Sequence, residues 1–384
     1  MRKYLIAIIL ISISILSIIK IPENVYAYDL NISAPSYIIT DQNGNALVSK
    51  NADEKREVAS ICKLMTSLIV LEKIDKKEIS IDDMITISSK ASMVEGSSAF
   101  LDVGVQYSVG ELLKSVIVAS ANDSAVALAE FVSGSEYRFT DLMNLKAQQI
   151  GMNNTLYANS TGLTGNNQYS TAIDTCIVLN KISEYDLYKE YSKIWMDYLI
   201  HPSGRKTELV NTNRLIKYVD YCECGKTGFT DDAGYCLSSK GNINGMELTC
   251  VVLGCKNSAS RFTDSINLYG YVRDHYSSVK IVDSSVSIDN DINVAFGNVS
   301  HINIMPSENY IATIKNGDEN NYRYKLDLPD IIKAPISRGD IIGAMYVICG
   351  DDIVAKIDIV SNDCVARQKY GDIVKNLFEG FNKI

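Results

Sequence analysis

The chain has 384 residues, a formal net charge of −9 and 46% apolar residues, with 22% charged and 8% aromatic. That length holds two or three domains of roughly 100 to 200 residues, and the composition is that of a globular protein rather than a disordered or fibrous one. An acidic chain is a poor partner for nucleic acid, whose phosphates select a basic face. Its three histidines, His201, His275 and His301, are too scattered for a multi-histidine metal site, so a hydrolytic base is expected to be some other residue.

At the N-terminus, Arg2 and Lys3 precede the uncharged run Tyr4 to Ile19, which is followed by Lys20, Pro22 and the small-residue site Val25-Tyr26-Ala27. Basic, apolar and small-residue regions in that order predict a secretory signal peptide over residues 1–27, cleaved after Ala27. The run falls short of the roughly 20 residues that span a bilayer as a helix. Cleavage removes three basic residues and one acidic residue, leaving an exported chain with a charge of −11.

Short alternating runs at Ser36 to Ile39 and Ala46 to Val48 flank Asp41-Gln-Asn-Gly44 and predict a hairpin. A helix is predicted to open at Ser60, with Ile61, Leu64, Met65, Leu68 and Ile69 at i, i+3, i+4, i+7 and i+8. Helical patterns follow from about Val109 to Phe131 and from Tyr137 to Ile150, then turn-rich sequence from Asn153 to Tyr169. Gly234 to Lys240 and Met246 to Gly254 read as an antiparallel hairpin about Gly241-Asn-Ile-Asn-Gly245. Helices with an antiparallel sheet predict an α+β domain over residues 28–278.

From 279 to 366 the texture changes to short alternating segments, including Val279 to Val282, Ser300 to Ile304, Tyr310 to Ile314 and Ile353 to Ile359, which predict a small all-β domain. Over 367–384, Ile373, Val374, Leu377, Phe378, Phe381 and Ile384 fall on one helical face. That face suits a helix capping the β domain and suits equally an amphipathic helix lying on a membrane surface. The nine cysteines are odd in number in a chain large enough to dispense with staples, and most are expected to be free, buried and apolar in character.

The chemistry is expected at Ser60-Ile-Cys-Lys63. One helical turn brings the Lys63 amine to the Ser60 hydroxyl, and a lysine whose pKa is lowered by burial can activate a serine nucleophile. The pattern alone is cheap: Ser-x-x-Lys recurs at Ser203 to Lys206 and Ser277 to Lys280. Its company raises it. Ser120-Ala-Asn122 places a hydroxyl and an amide between two helical runs, and Lys226-Thr-Gly228 occurs once, just before the second hairpin.

Ser60-x-x-Lys63, Ser120-x-Asn122 and Lys226-Thr-Gly228 resemble, in order, the three-motif set of penicillin-binding proteins and class A β-lactamases. The mature chain is similar over nearly its whole length to the serine D-alanyl-D-alanine carboxypeptidases, the low-molecular-mass penicillin-binding proteins. The likeness includes Gly96-Ser-Ser-Ala-Phe-Leu101, Ser120 to Glu130, Asn159-Ser-Thr-Gly-Leu163, Asn211-Thr-Asn-Arg-Leu215 and Gly225 to Thr230. One departure is Cys62, where the family usually has threonine.

The resemblance implies a β-lactamase/transpeptidase-like domain and a set of roles. Ser60 would attack the carbonyl between two terminal D-alanines of a peptidoglycan stem pentapeptide, and β-lactams would acylate the same hydroxyl. Lys63 would be the base, helped by the field of Lys226; Ser120 would relay a proton to the leaving amine, and Asn122 would orient Lys63 and the substrate amide. The backbone amides of Ser60 and Phe229 would form the oxyanion hole, Gly228 would let substrate lie beside its strand, and Thr227 with Arg261 would hold the substrate carboxylate. No metal or organic cofactor is implied, and membrane contact would come only from the C-terminal helix.

A β-lactamase of class A would need a glutamate to activate water, and no Glu-x-x-Leu-Asn segment lies between Asn122 and Lys226. A catalytically inactive wall-binding homologue is the other alternative, against which stands the full set of acting side chains.

Overall fold

The computed structural model describes residues 30–165, 167–318, 321–369 and 371. The export segment over 1–27 and the apolar face from Ile373 onward lie outside the described residues. Among the described residues, no helix is long and apolar enough to cross a membrane. The chain divides into two compact units at Asp274/His275. That is a few residues before the boundary expected at 278, because a helix runs to His275 and the first strand of the second unit begins at Tyr276.

The first unit is built on a five-stranded antiparallel sheet. Its strand order is Ala46–Lys50, Ser36–Thr40, Met246–Cys255, Gly234–Ile243 and Cys222–Thr230. Both expected hairpins are present. The edge strand Cys222–Thr230 carries Lys226-Thr-Gly228; the resemblance implied a strand at Gly228, but no alternation in the sequence marked one. Glycines at 225 and 228 weaken its intrinsic preference, and pairing with Gly234–Ile243 supplies what local propensity does not.

The serine helix begins as a 3-10 turn, Ala59–Cys62, before the α-helix Lys63–Asp75. The predicted apolar stripe understates its burial, since every residue from Lys63 to Leu71 is buried. A helix enclosed on all sides is a core element, and this one packs against helices Val109–Ala119, Asn122–Ser133, Glu136–Gln149 and Ala172–Ile182. The helical run from Val109 breaks at Ser120, whose φ of 62° ends one helix in the left-handed region before the next starts at Asn122. At the other end of the first of these helices, Ser108 and Glu111 form a reciprocal capping box.

The helices Ala172–Ile182 and Ser258–His275 were not expected. The first is rich in β-branched Ile173, Thr175, Ile177 and Val178, which blur a helical pattern. It is started by the Thr171 hydroxyl accepting from the Asp174 amide and held by packing on the sheet.

The second unit is all-β, as expected. It has a six-stranded sheet in the order Tyr322–Asp327, Ile341–Cys349, Asp352–Ser361, His301–Pro306, Ile288–Ala295 and Ile331–Lys333, the last pair being parallel. Tyr276–Val282 and Tyr310–Lys315 form a separate two-stranded ribbon. Its core gathers Ile302, Ile304, Ile314, Val347, Ile357 and Ile359. All nine cysteines are free thiols: seven are buried, Cys349 is half-buried and Cys364 exposed.

Candidate active site

Ser60 sits in the 3-10 turn, and Lys63 Nζ donates to its Oγ at 2.8 Å. The same amine donates to the Thr161 carbonyl at 2.6 Å, and Lys63 is 1% exposed. Burial pushes the Lys63 ammonium down to about 7, against opposing pulls from the Cys62 sulfur and the Asp123 carboxylate. An amine with that pKa is half neutral at physiological pH and can accept a proton.

Two glycines crowd the Ser60 turn. A Cβ on Gly162 would lie 2.0 Å from the Ala59 carbonyl oxygen, and one on Gly228 would lie 2.3 Å from that of Val58. Gly162 also has a φ of 77°, which favours glycine on its own account. Thus the loop at 159–162 and the edge strand both approach the backbone beside Ser60 closely.

Three consecutive carbonyls of that loop receive side chains of the serine helix: Cys62 donates to Asn159 at 3.3 Å, Thr66 to Ser160 at 2.7 Å and Lys63 to Thr161. The Asn159 carboxamide oxygen holds the loop by accepting from the Thr161 amide and hydroxyl and from the Gly162 amide. Cys62 therefore keeps a donor where the family has threonine, and burial pushes its thiol up to about 12, which leaves it unreactive.

From the turn between helices, Ser120 accepts from Lys226 Nζ at 2.8 Å. Lys226 is buried, and burial together with the Lys63 and Arg261 cations drives its pKa well below the ordinary value. Ser60, Lys63, Ser120 and Lys226 thus form two hydrogen-bonded pairs, and Lys63 lies near enough for its charge to act on Lys226.

Asn122 stands differently from expectation. Its Nδ2 donates to the Glu95 carbonyl at 2.6 Å and its buried Oδ1 has no partner, so it does not orient Lys63 by a hydrogen bond; the Thr161 carbonyl does that instead. The unpartnered Oδ1 is left to accept from a bound ligand. Thr227 donates to Thr212 at 2.7 Å. Phe229 is 48% exposed and stacks on Tyr235 with centroids 4.2 Å apart. Arg261 is buried rather than a surface residue. It donates to the Gly228 carbonyl at 3.1 Å and that of Cys236 at 3.4 Å, and its guanidinium lies 5.4 Å from the Tyr235 ring centroid. Its Nε has no partner.

The residues missed by sequence reasoning are Thr161, Asn159 and Thr212. An asparagine three residues before a glycine is a turn signal. The acceptor for Lys63, however, is a backbone carbonyl that any residue type supplies.

A half-buried serine paired with a buried lysine beside an edge strand is a site for acyl transfer. The family model described as D-alanyl-D-alanine carboxypeptidase matches residues 23–257, and that of the penicillin-binding protein 5 C-terminal domain matches residues 276–367. The chain belongs to the D-alanyl-D-alanine carboxypeptidase family.

It is 31% identical to the D-alanyl-D-alanine carboxypeptidase DacF of Bacillus subtilis, over 90% of this chain and 89% of that one. With DacA of Haemophilus influenzae it shares 32% identity over 90% and 91%. Among solved structures, penicillin-binding protein 5 of Haemophilus influenzae superposes with a TM-score of 0.75 at 28% identity, covering 90% of this chain and all of that one. This carboxypeptidase is accordingly a serine-type hydrolase of the low-molecular-mass penicillin-binding proteins. Where a class A β-lactamase needs a glutamate facing the nucleophile, its loop at 159–162 offers Lys63 a main-chain carbonyl.

Proposed function

We propose that Ser60 is the nucleophile which opens the bond between the two terminal D-alanines of peptidoglycan stem pentapeptides, with Lys63 as its base. The 2.8 Å contact between a buried, low-pKa amine and the hydroxyl supports this reading most strongly. Lys63 takes the Oγ proton as Oγ adds to the carbonyl carbon. The C–N bond then breaks, and free D-alanine departs with a proton passed through Ser120, which Lys226 holds. Water attacks the resulting ester, releasing the shortened peptide and restoring Ser60.

The amides of Ser60 and Phe229 face the developing oxyanion in this scheme, and each such donor is worth roughly 3 kcal/mol in the transition state. Asn122 Oδ1 accepts from the substrate amide, while Thr227 and Arg261, the latter with a spare Nε, receive the terminal carboxylate. Gly228 keeps the edge strand close to the Ser60 turn, so that substrate can add alongside it. A β-lactam amide reacts at the same hydroxyl and remains as a stable ester. The basic, apolar and small-residue order at the N-terminus supports export, and the enzyme acts on the outer face of the cytoplasmic membrane.

Incubation of the full chain with a stem pentapeptide is expected to release D-alanine, and Ser60→Ala is expected to release none. Release by the mutant at the native rate would refute the assignment. The pH dependence follows from Lys63. Below its folded value of about 7 the amine is protonated and cannot accept the Oγ proton, so acylation by a fluorescent penicillin is expected to rise with pH. It should stand about tenfold below its plateau at pH 6. A flat profile between pH 6 and 8 would exclude Lys63 as base.

A further inference from the structure

The segment Gly96 to Leu101 has no role in the chemistry described so far, yet it is tied to the Asn122 helix with unusual care. Asp123 is fully buried, and among the described residues no ion pair holds it. Its carboxylate accepts from the Ser98 hydroxyl at 2.6 Å, the Ala99 amide at 3.0 Å, the Leu101 amide at 3.2 Å and the Ser124 amide at 2.8 Å. A buried carboxylate is tolerated only when its lone pairs are filled, and here the strap Ser98–Leu101 fills most of them.

The strap in turn continues the Asn122 environment. The Asn122 amide donates to the Ser97 carbonyl at 2.7 Å, its Nδ2 donates to Glu95, and a Cβ on Gly96 would lie 2.7 Å from that Nδ2. The position of Asn122 is therefore set by a strap that Asp123 anchors.

We propose that Asp123 is a positioning residue of this carboxypeptidase: its carboxylate clamps the Ser98–Leu101 strap onto the head of the Asn122 helix, and so sets both Asn122 and the face that this helix packs against the Lys63 helix. The proposal rests on the reading of Ser60 and Lys63 as nucleophile and base. Lys63 is faced by Lys226 from the edge strand, by Asp123 from the Asn122 helix and by the Cys62 thiol of its own turn. Glu136, at the head of the next helix, acts on Cys62 and is taken up by Ser160 and by Lys90 at 2.7 Å. Asp123 is thus the carboxylate whose field reaches the base and holds part of its proton affinity against burial. Removing that charge lets the Lys63 pKa fall further.

The test is the second-order acylation rate of the full chain by a fluorescent penicillin from pH 5 to 9, for the native protein, Asp123→Asn, Ser98→Ala and Ser60→Ala. Asp123→Asn is expected to lower the plateau rate at least tenfold. It is also expected to move the acid midpoint about half a unit toward lower pH. Ser98→Ala keeps the charge and is expected to lose a few-fold in plateau rate with an unmoved midpoint. A folded Asp123→Asn with a plateau within about 1.5-fold of native overturns the proposal, and so does one with the native midpoint. Should that variant not fold, a Ser98→Ala plateau within about 1.5-fold of native overturns the clamp, and a larger loss supports it. Labelling of Ser60→Ala would instead overturn the underlying reading, so the two failures are distinguishable.

Discussion

Lys63→Met is expected to lower the acylation rate about a thousandfold while leaving a folded protein. The side chain lies in a dry environment where methionine reproduces its length and fills its volume, so packing of the serine helix is kept. What disappears is the amine that stands 2.8 Å from Ser60 Oγ and the donor to the Thr161 carbonyl. The second loss strands a buried acceptor at roughly 1 to 3 kcal/mol. Against it stands relief from desolvating an amine, which burial already drives down to about 7. Stability should therefore shift modestly, and the rate greatly. Stopped-flow labelling with thermal unfolding on the same sample separates the two. A rate loss under tenfold would mean that another group takes the proton.

Gly228→Ala is the second substitution with a large expected effect, and it acts through geometry alone. The added methyl would lie 2.3 Å from the Val58 carbonyl oxygen, which also accepts the Ile61 amide in the turn that carries Ser60. It would further meet the Ala59 Cβ at 3.2 Å and the Ile61 amide nitrogen at 3.3 Å. Backbone at that range cannot rotate aside, so strand and turn must part by about 1 Å to reach ordinary contact. A misplacement of that size costs on the order of a hundredfold in rate. The same strain is expected to reduce stability by about 1 to 3 kcal/mol, typical of overpacking. Native acylation kinetics in Gly228→Ala would show that the edge strand does not need to approach the turn.

The parts legible in the sequence were those where chemistry demands a residue type at a spacing. Ser60 with Lys63, Ser120 between two helices, and Lys226 before a hairpin all stand where expected. The hairpins were legible because their alternation and turn residues are local. What escaped notice depends on contacts distant in the chain or on backbone groups. The strand Cys222–Thr230, implied by the resemblance but unmarked by its own residues, forms because a neighbour pairs with it, and the acceptor that orients Lys63 is a main-chain oxygen 98 residues away. Asn122 was assigned to Lys63 on resemblance, but in the folded chain its amide is spent on Glu95, 27 residues upstream. Arg261 carries no local sign of burial. Its carbonyl partners at Gly228 and Cys236 come from the two strands it packs against.

The central claim is the covalent one, and it is tested most directly by peptide mapping. The native enzyme is incubated with benzylpenicillin, quenched in acid, digested and analysed by mass spectrometry. A penicilloyl adduct is expected on the peptide carrying Ser60, absent from Ser60→Ala and formed far more slowly in Lys63→Met. An adduct on any other residue, or D-alanine release without an adduct at Ser60, would contradict the account.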